Sequence, residues 1–170
     1  RARGMAVREE EPFGEASIIV QDPSGLLIEL VGADRDARAP WLTPDVTAAT
    51  AVRGLHSVTM TVQEIGPTLE FMQSLLGVEV LTDAPGRLRV GIAGAGPGHL
   101  IDILHGSGSG PARNGLGTVH HVAMAITDAD AQLRVREELI RRGVPVTPVM
   151  DRQYFTSIYF REPGGVLFEI

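Results

Sequence analysis

Three segments of this 170-residue chain share one pattern, a turn containing proline and glycine followed by an apolar strand that carries an acidic residue. The segments are residues 22–30, 97–103 and 161–170, and the acids at matching positions are Glu29, Asp102 and Glu169. A second pattern also repeats, because residues 54–62 align with residues 118–126 without a gap. Since such repetition indicates one structural unit used several times, the repeats constrain the fold more than any local pattern does.

The order of elements between the repeats predicts a βαβββ unit. Residues 64–76 place apolar side chains on one helical stripe, Gly77 follows as a stop signal, and three strand patterns come next. The same order recurs from residue 118, with a helix predicted over 128–142. The sequence predicts three units: residues 1–31 are the C-terminal part of an incomplete unit, residues 54–105 are a unit without a ligand histidine, and residues 118–170 are a unit with metal ligands. Between them, residues 32–53 are predicted to be a linker and residues 106–117 a Gly/Ser-rich connection.

Residues 118–126 are predicted as one strand with two adjacent histidines near its start. Side chains alternate between the faces of a strand, so His121 shares a face with two alanines while His120 shares the apolar face. Glu169, on the last predicted strand of the same unit, points away from its apolar neighbours. An imidazole and a carboxylate from the first and last strands of one curved unit can meet at a metal ion. A hydrogen-bonded structural histidine is the alternative.

Two further polar residues lie on the last predicted strands. Tyr159 alternates with apolar neighbours, so its hydroxyl is expected on the inside of the curved sheet. Arg152 stands where that strand begins, and a cation there can stabilise an anionic substrate oxygen. The alternatives are a wedged aromatic ring for Tyr159 and a surface salt bridge for Arg152.

The middle unit lacks the candidate ligand, because Ser57 aligns with His121 and His56 aligns with His120. We therefore expect His56 to be structural. We also expect Glu29 and Asp102 to be solvated or hydrogen-bonded rather than bound to metal.

Composition excludes several classes of partner. A net charge of -6 without a long basic run argues against nucleic acid. No stretch approaches the roughly 20 apolar residues that span a bilayer, so we expect no membrane partner and a cytoplasmic location. Because the chain has no cysteine, any metal must be held by His, Asp or Glu. An incomplete unit exposes sheet edges, so we expect a homo-oligomer.

The chain resembles the vicinal oxygen chelate superfamily, and within it the glyoxalase-fold ring-cleaving dioxygenases that act on hydroquinones. The resemblance covers nearly the whole chain and is carried by residues 53–59, 117–123, 146–149, 151–152, 154–155 and, most distinctively, 157–170. It implies an α+β fold like that of glyoxalase and bleomycin-resistance proteins, in which paired βαβββ modules form cupped mixed sheets.

The resemblance also implies a reaction and a site. It implies Fe(II), with Mn(II) as the alternative metal, and ring cleavage of hydroquinone- or catechol-like aromatic diols by O2. His121 and Glu169 are then metal ligands, and His120, Arg152 and Tyr159 are catalytic residues around them. The third ligand of such enzymes is a histidine from the first strand of a first module, which this chain lacks. Because residues 1–31 fit only the C-terminal part of a unit whose first strand and helix are absent, we expect residues 1–170 to be a fragment of a longer protein.

Two other functions are compatible with the sequence. A glyoxalase-type isomerase or epimerase would use a divalent metal for proton transfer and would take an acid, such as Glu29 or Asp102, from each paired unit. A metal-free protein that sequesters a small aromatic compound or drug would bind no stoichiometric iron.

Overall fold

The computed structural model describes residues 6–34, 36–106 and 115–170. Its strands are β1 (Val7–Glu10), β2 (Ser17–Gln21), β3 (Leu27–Val31), β4 (Ser57–Val62), β5 (Glu79–Ala84), β6 (Arg87–Gly91), β7 (Leu100–His105), β8 (Val122–Ala123), β9 (Met150–Asp151), β10 (Thr156–Ser157), β11 (Tyr159–Arg161) and β12 (Leu167–Glu169), and its helices are α1 (Ile65–Leu76) and α2 (Ala129–Arg141). Most of the predicted connection over 106–117 lies outside the described residues. Neither helix in the described ranges has the length and apolar character needed to cross a membrane.

The first sheet is antiparallel, in the order β1-β2-β3. Its second turn is held by Asp22, whose Oδ1 accepts hydrogen bonds from the backbone N–H groups of Ser24 and Leu26, each at 2.8 Å. This turn fixes the register of β3 and so decides which face Glu29 occupies. Glu29 faces the middle unit, where Arg87 donates a hydrogen bond to it at 3.1 Å.

The middle sheet has the order β4-β7-β6-β5 and is covered on one face by α1. β4 and β7 are parallel, which places Thr59 beside Asp102. α1 ends at Leu76 because Gly77 takes a left-handed φ of 65°, a conformation that glycine adopts without steric strain. The predicted helix and its stop are confirmed here.

The last unit repeats this arrangement with shorter strands, in the order β11-β12-β8. β8 and β12 are parallel and place Ala123 beside Glu169, just as Thr59 lies beside Asp102 in the middle sheet. α2 is capped by Asp128, whose carboxylate accepts a hydrogen bond from a backbone N–H of the first turn at 2.7 Å. The backbone registers of the two sheets are therefore equivalent around their acidic residues.

The strand predicted over 118–126 is wrong in its extent, since strand geometry is confined to Val122–Ala123. In the parallel register Val122 pairs with Phe168, so the residues before His121 lie beyond the start of β12 and have no strand of the described chain to pair with. Residues 144–150, which follow the second helix, contribute only Met150 to a strand, since they contain two prolines and proline cannot donate a ladder hydrogen bond.

One apolar core joins the middle and last units. Met72 and Ile103 from the middle unit and Leu139 and Phe168 from the last are completely buried. Phe160 lies between the units, with its ring centroid 6.1 Å from Phe71 and 5.8 Å from Phe168. Because Phe168 faces the core, its neighbour Glu169 lies on the opposite face of β12.

A buried carboxylate joins the turn before β12 to α1. Glu162 is 2% exposed, and it accepts hydrogen bonds from the Thr68 hydroxyl at 2.7 Å and from the backbone N–H groups of Gly164 and Val166 at 2.7 and 2.8 Å. It holds its turn as Asp22 holds the turn of the first sheet. Glu162 therefore fixes the start of the strand that carries Glu169.

Replacing Gly164 with alanine is expected to destabilise this joint. A Cβ at this position would lie 2.5 Å from a methyl carbon of Val62 and 2.9 Å from the Thr68 hydroxyl oxygen. We expect a loss of about 1–3 kcal/mol in the free energy of unfolding, measured by urea denaturation. Gly66→Ala in α1 is the matched control, because a Cβ there meets no atom within 4 Å. Equal stability of the two variants would contradict close packing at Gly164.

Candidate metal centre

His121, Tyr159 and Glu169 come together on the open face of the last sheet. His121 Nε2 lies 2.6 Å from Glu169 Oε2, and the Tyr159 hydroxyl donates a hydrogen bond to Glu169 Oε1 at 2.6 Å. Glu169 is buried and His121 is half-buried. One carboxylate oxygen is therefore oriented by a phenol while the other faces an imidazole nitrogen.

Two strand registers produce this convergence. The antiparallel pairing of β11 with β12 places Tyr159 opposite Glu169, and the parallel pairing of β8 with β12 places Ala123 beside it. His121, two residues before Ala123, reaches the same carboxylate from the segment that precedes β8. The alanine leaves room beside the carboxylate, and the imidazole occupies it.

His120 is not on the apolar face where strand alternation predicted it. It is exposed, and its Nδ1 lies 2.9 Å from the Nδ1 of His121, with the two rings edge to face. The prediction fails because both histidines precede β8, so strict alternation does not apply to them. Between neutral imidazoles, such a contact needs one donor and one acceptor. If His121 Nε2 carries no proton, as metal binding requires, its Nδ1–H donates to His120.

Arg152 lies against the same group. Its guanidinium carbon is 5.1 Å from the centroid of the Tyr159 ring, and its Nε donates a hydrogen bond to the Ser157 hydroxyl at 3.3 Å. The Tyr159 ring meets the ring of His121 edge-on, with centroids 5.7 Å apart. No carboxylate within the described ranges forms an ion pair with Arg152, so its charge is available to an anionic group at this site.

His121 and Glu169 are residue types that bind divalent metals, but two ligands are fewer than such a site needs. Imidazole nitrogen and carboxylate oxygen are ligands of non-haem Fe(II) and of Mn(II). In the part of the chain that the structure describes, no three His, Asp or Glu side chains converge as a metal site would require. His121 and Glu169 therefore offer two ligands of a centre that needs a third.

In the middle unit, arginine side chains bind the acidic residue that corresponds to Glu169. Asp102 stands where Glu169 stands in the last unit, and Arg89 is opposite Asp102 as Tyr159 is opposite Glu169. Asp102 is completely buried, and Arg89 Nε donates to its Oδ1 at 2.7 Å while Arg87 Nη2 donates to its Oδ2 at 2.6 Å. Both oxygens of this carboxylate are therefore already paired with cations.

The same arginines connect the middle sheet to the first sheet. Arg87 donates to Glu29, and Arg89 forms an ion pair with Glu15. Burial alone would lower the pKa of each guanidinium. The hydrogen bonds and negative charges of Asp102, with Glu29 for Arg87 and Glu15 for Arg89, together offset this and raise the pKa of both arginines above the ordinary value. The arginines stay charged, and Glu29 and Asp102 are hydrogen-bonded.

His56 belongs to this arginine cluster. Its Nε2 lies 3.4 Å from Glu15 Oε1, and its Nδ1 lies 3.2 Å from the Ser57 hydroxyl. Phe13 packs on the Arg89 guanidinium, 4.5 Å from ring centroid to Cζ. A cavity of about 310 Å³ is bordered by His56, Glu15, Phe13 and Arg89. These contacts are of the kind expected for a structural histidine.

Comparison with known proteins identifies the class of protein. Residues 54–170 match the Glyoxalase/Bleomycin resistance protein/Dioxygenase superfamily. The chain belongs to this superfamily, and the glyoxalase-like α+β fold expected from the sequence is confirmed.

Individual relatives narrow the comparison. "Putative ring-cleaving dioxygenase MhqO" of Bacillus subtilis (strain 168) is 35% identical over 160 residues, which is 94% of this chain and 51% of that protein. "Chlorohydroquinone/hydroquinone 1,2-dioxygenase" of Sphingobium indicum is 31% identical over 175 aligned residues, 98% of this chain and 54% of that protein. A crystal structure of a "putative dioxygenase" from Bacillus subtilis superposes with a TM-score of 0.88 at 32% identity, covering 99% of this chain and 54% of the other. The chain spans about half the length of the curated relatives it matches.

Proposed function

We propose that this chain is part of a non-haem Fe(II)-dependent dioxygenase that opens the ring of hydroquinone- or catechol-like diols with O2. The observation that carries the proposal is the 2.6 Å approach of His121 Nε2 to Glu169 Oε2, with Tyr159 bonded to the other carboxylate oxygen. The names of the relatives support the reaction class, since they refer to ring cleavage and to hydroquinone.

His121 Nε2 and Glu169 Oε2 would hold the metal in this proposal. When bound, Fe(II) supplies a Lewis-acid centre at which the diol oxygens and dioxygen can be brought together. We propose that the third protein ligand is a histidine from outside residues 1–170. Two imidazoles and one carboxylate leave open positions for substrate.

In this proposal, His120 and Tyr159 transfer protons and Arg152 stabilises negative charge. A diol that binds through oxygen gives up a proton, and His120, exposed beside His121, would accept it at Nδ1 once that nitrogen turns away from the Nδ1–H of His121. The Tyr159 hydroxyl keeps Glu169 oriented and is the second group that can exchange a proton near the ring. Arg152 forms no ion pair with a carboxylate in the described ranges, so its charge would stabilise negative charge on the bound diol or on the acid formed by ring opening.

The arginine cluster of the middle unit bears on the isomerase alternative. That hypothesis requires Glu29 or Asp102 as a metal ligand. Glu29 accepts a hydrogen bond from Arg87, and Asp102 is bonded by both Arg87 and Arg89. This pairing favours the dioxygenase over the isomerase.

The test is oxygen uptake by the full-length protein. The protein would be purified without oxygen, loaded with Fe(II), and mixed with oxygenated buffer and a panel of hydroquinones and catechols. We expect stoichiometric iron and one O2 consumed for each ring opened. Absence of stoichiometric iron would instead support the metal-free binding protein. Iron binding with isomerised product and no O2 consumption would support the isomerase.

A further inference from the structure

Gln132 is a buried polar residue on α2, with 3% of its surface exposed. A buried amide costs free energy unless its donors and its acceptor are paired. Its Nε2 donates two hydrogen bonds, to the backbone oxygens of Thr156 at 2.9 Å and Ile170 at 2.8 Å. Its Oε1 accepts a hydrogen bond from the Thr156 hydroxyl at 3.1 Å. Both N–H groups and the oxygen of the amide are therefore engaged.

The two backbone carbonyls lie next to the candidate metal centre. Ile170 directly follows Glu169, and its backbone exchanges two hydrogen bonds with Ile158, at 2.8 and 3.0 Å. Thr156, in β10, lies two residues before Ile158, and β11 begins at the residue after Ile158. Gln132 therefore adds a side-chain cross-link beyond the last backbone pair of the β11–β12 ladder, at the end that carries Glu169.

We propose that Gln132 is a positioning residue for the metal ligand Glu169, an inference that rests on the proposed function. The cross-link holds the end of β12 against the segment from Thr156 to Tyr159, which carries the phenol bonded to Glu169. Without it, the Thr156 carbonyl loses a buried partner and the end of β12 can shift. The carboxylate would then no longer be held within reach of His121. Metal sites depend on such fixed donors, and loss of a supporting hydrogen bond typically costs about 10–100-fold in metal affinity.

The test measures Co(II) binding by the full-length wild-type protein and by Gln132→Met. Methionine has similar volume and helix propensity but cannot bond the two carbonyls. We expect the Co(II) dissociation constant to rise about 10–100-fold, and the visible absorption bands of bound Co(II), which report the geometry of the ligands, to change. Leu139→Ala is the control on the same helix, because Leu139 is completely buried in the core and bonds neither carbonyl. It should reduce stability while leaving the Co(II) spectrum unchanged.

Each outcome decides the question. Gln132→Met with wild-type affinity and spectrum would overturn the positioning role alone, whatever its stability. The same spectral change in Leu139→Ala would also overturn it, since any loss of stability would then suffice. A wild-type protein that binds no Co(II) would overturn both the proposed function and this inference. If Gln132→Met does not fold, Gln132→Asn, which keeps the amide on a shorter side chain, is judged by the same criteria.

Discussion

Replacing His121 with alanine in the full-length protein is expected to abolish most iron binding and ring cleavage. His121 Nε2 is the nitrogen that faces Glu169 Oε2 at 2.6 Å, so its loss removes one of two ligands that this chain supplies. Loss of an outer partner already costs about 10–100-fold in affinity or activity, and we expect removal of a ligand to exceed that range. Iron per protein after anaerobic loading, together with the oxygen-uptake rate, measures the effect.

His99→Ala is the control for this substitution. His99 is an exposed histidine whose ring contacts the Ile92 carbonyl in the middle unit, away from the candidate centre. The control should keep wild-type iron content and rate. If His121→Ala also keeps both, His121 is a structural histidine hydrogen-bonded to Glu169 and the proposed metal centre is wrong.

Local signals predicted the helices of this fold well. Gly77 was expected to end the first helix and takes the left-handed conformation that does so. Asp128, expected at the start of the second helix, caps it through its carboxylate. Such signals act within a few residues of the chain, so the sequence displays them directly.

The buried face of the second helix does not follow from its apolar residues alone. Leu133 and Ile140 are exposed, while Leu139 is completely buried. The polar Gln132 is buried instead, because it bonds carbonyls of two strands. Its position three and seven residues before Val135 and Leu139 was a usable signal, since those spacings share one helix face.

The sequence repeats predicted which acidic residues are equivalent, but they did not predict which residues lie opposite those acids in the sheets. Alignment of the acids placed Glu169 and Asp102 at equivalent positions, and the two parallel registers agree with it. What the alignment did not reveal is that Arg89 stands opposite Asp102 where Tyr159 stands opposite Glu169. Cross-strand partners depend on the register of the whole sheet, which sequence patterns alone specify poorly. Arg87 and Arg89 therefore neutralise Asp102, whereas Glu169 faces an imidazole and a phenol.

Replacing Asp102 with alanine is expected to cause a large loss of stability without loss of iron. Arg89 and Arg87 would each lose their main partner, although their side chains are only 7% and 14% exposed. Removal of one partner from a buried ion pair typically costs about 3–5 kcal/mol, and Arg87 and Arg89 would keep only the more exposed Glu29 and Glu15 as partners. We expect a decrease of this size in the free energy of unfolding, measured by urea denaturation, and weaker attachment of the first sheet through Glu29 and Glu15.

The control for Asp102→Ala removes an exposed ion pair. Glu10 pairs with Arg8 at 2.7 Å on the first sheet, with side chains 36% and 66% exposed. Exposed pairs contribute about 0–1 kcal/mol, so Glu10→Ala should unfold almost as the wild type does. Equal stability of Asp102→Ala and Glu10→Ala would contradict a structural role for the arginine cluster. Loss of iron from a stable Asp102→Ala protein would make Asp102 a metal ligand and revive the isomerase alternative.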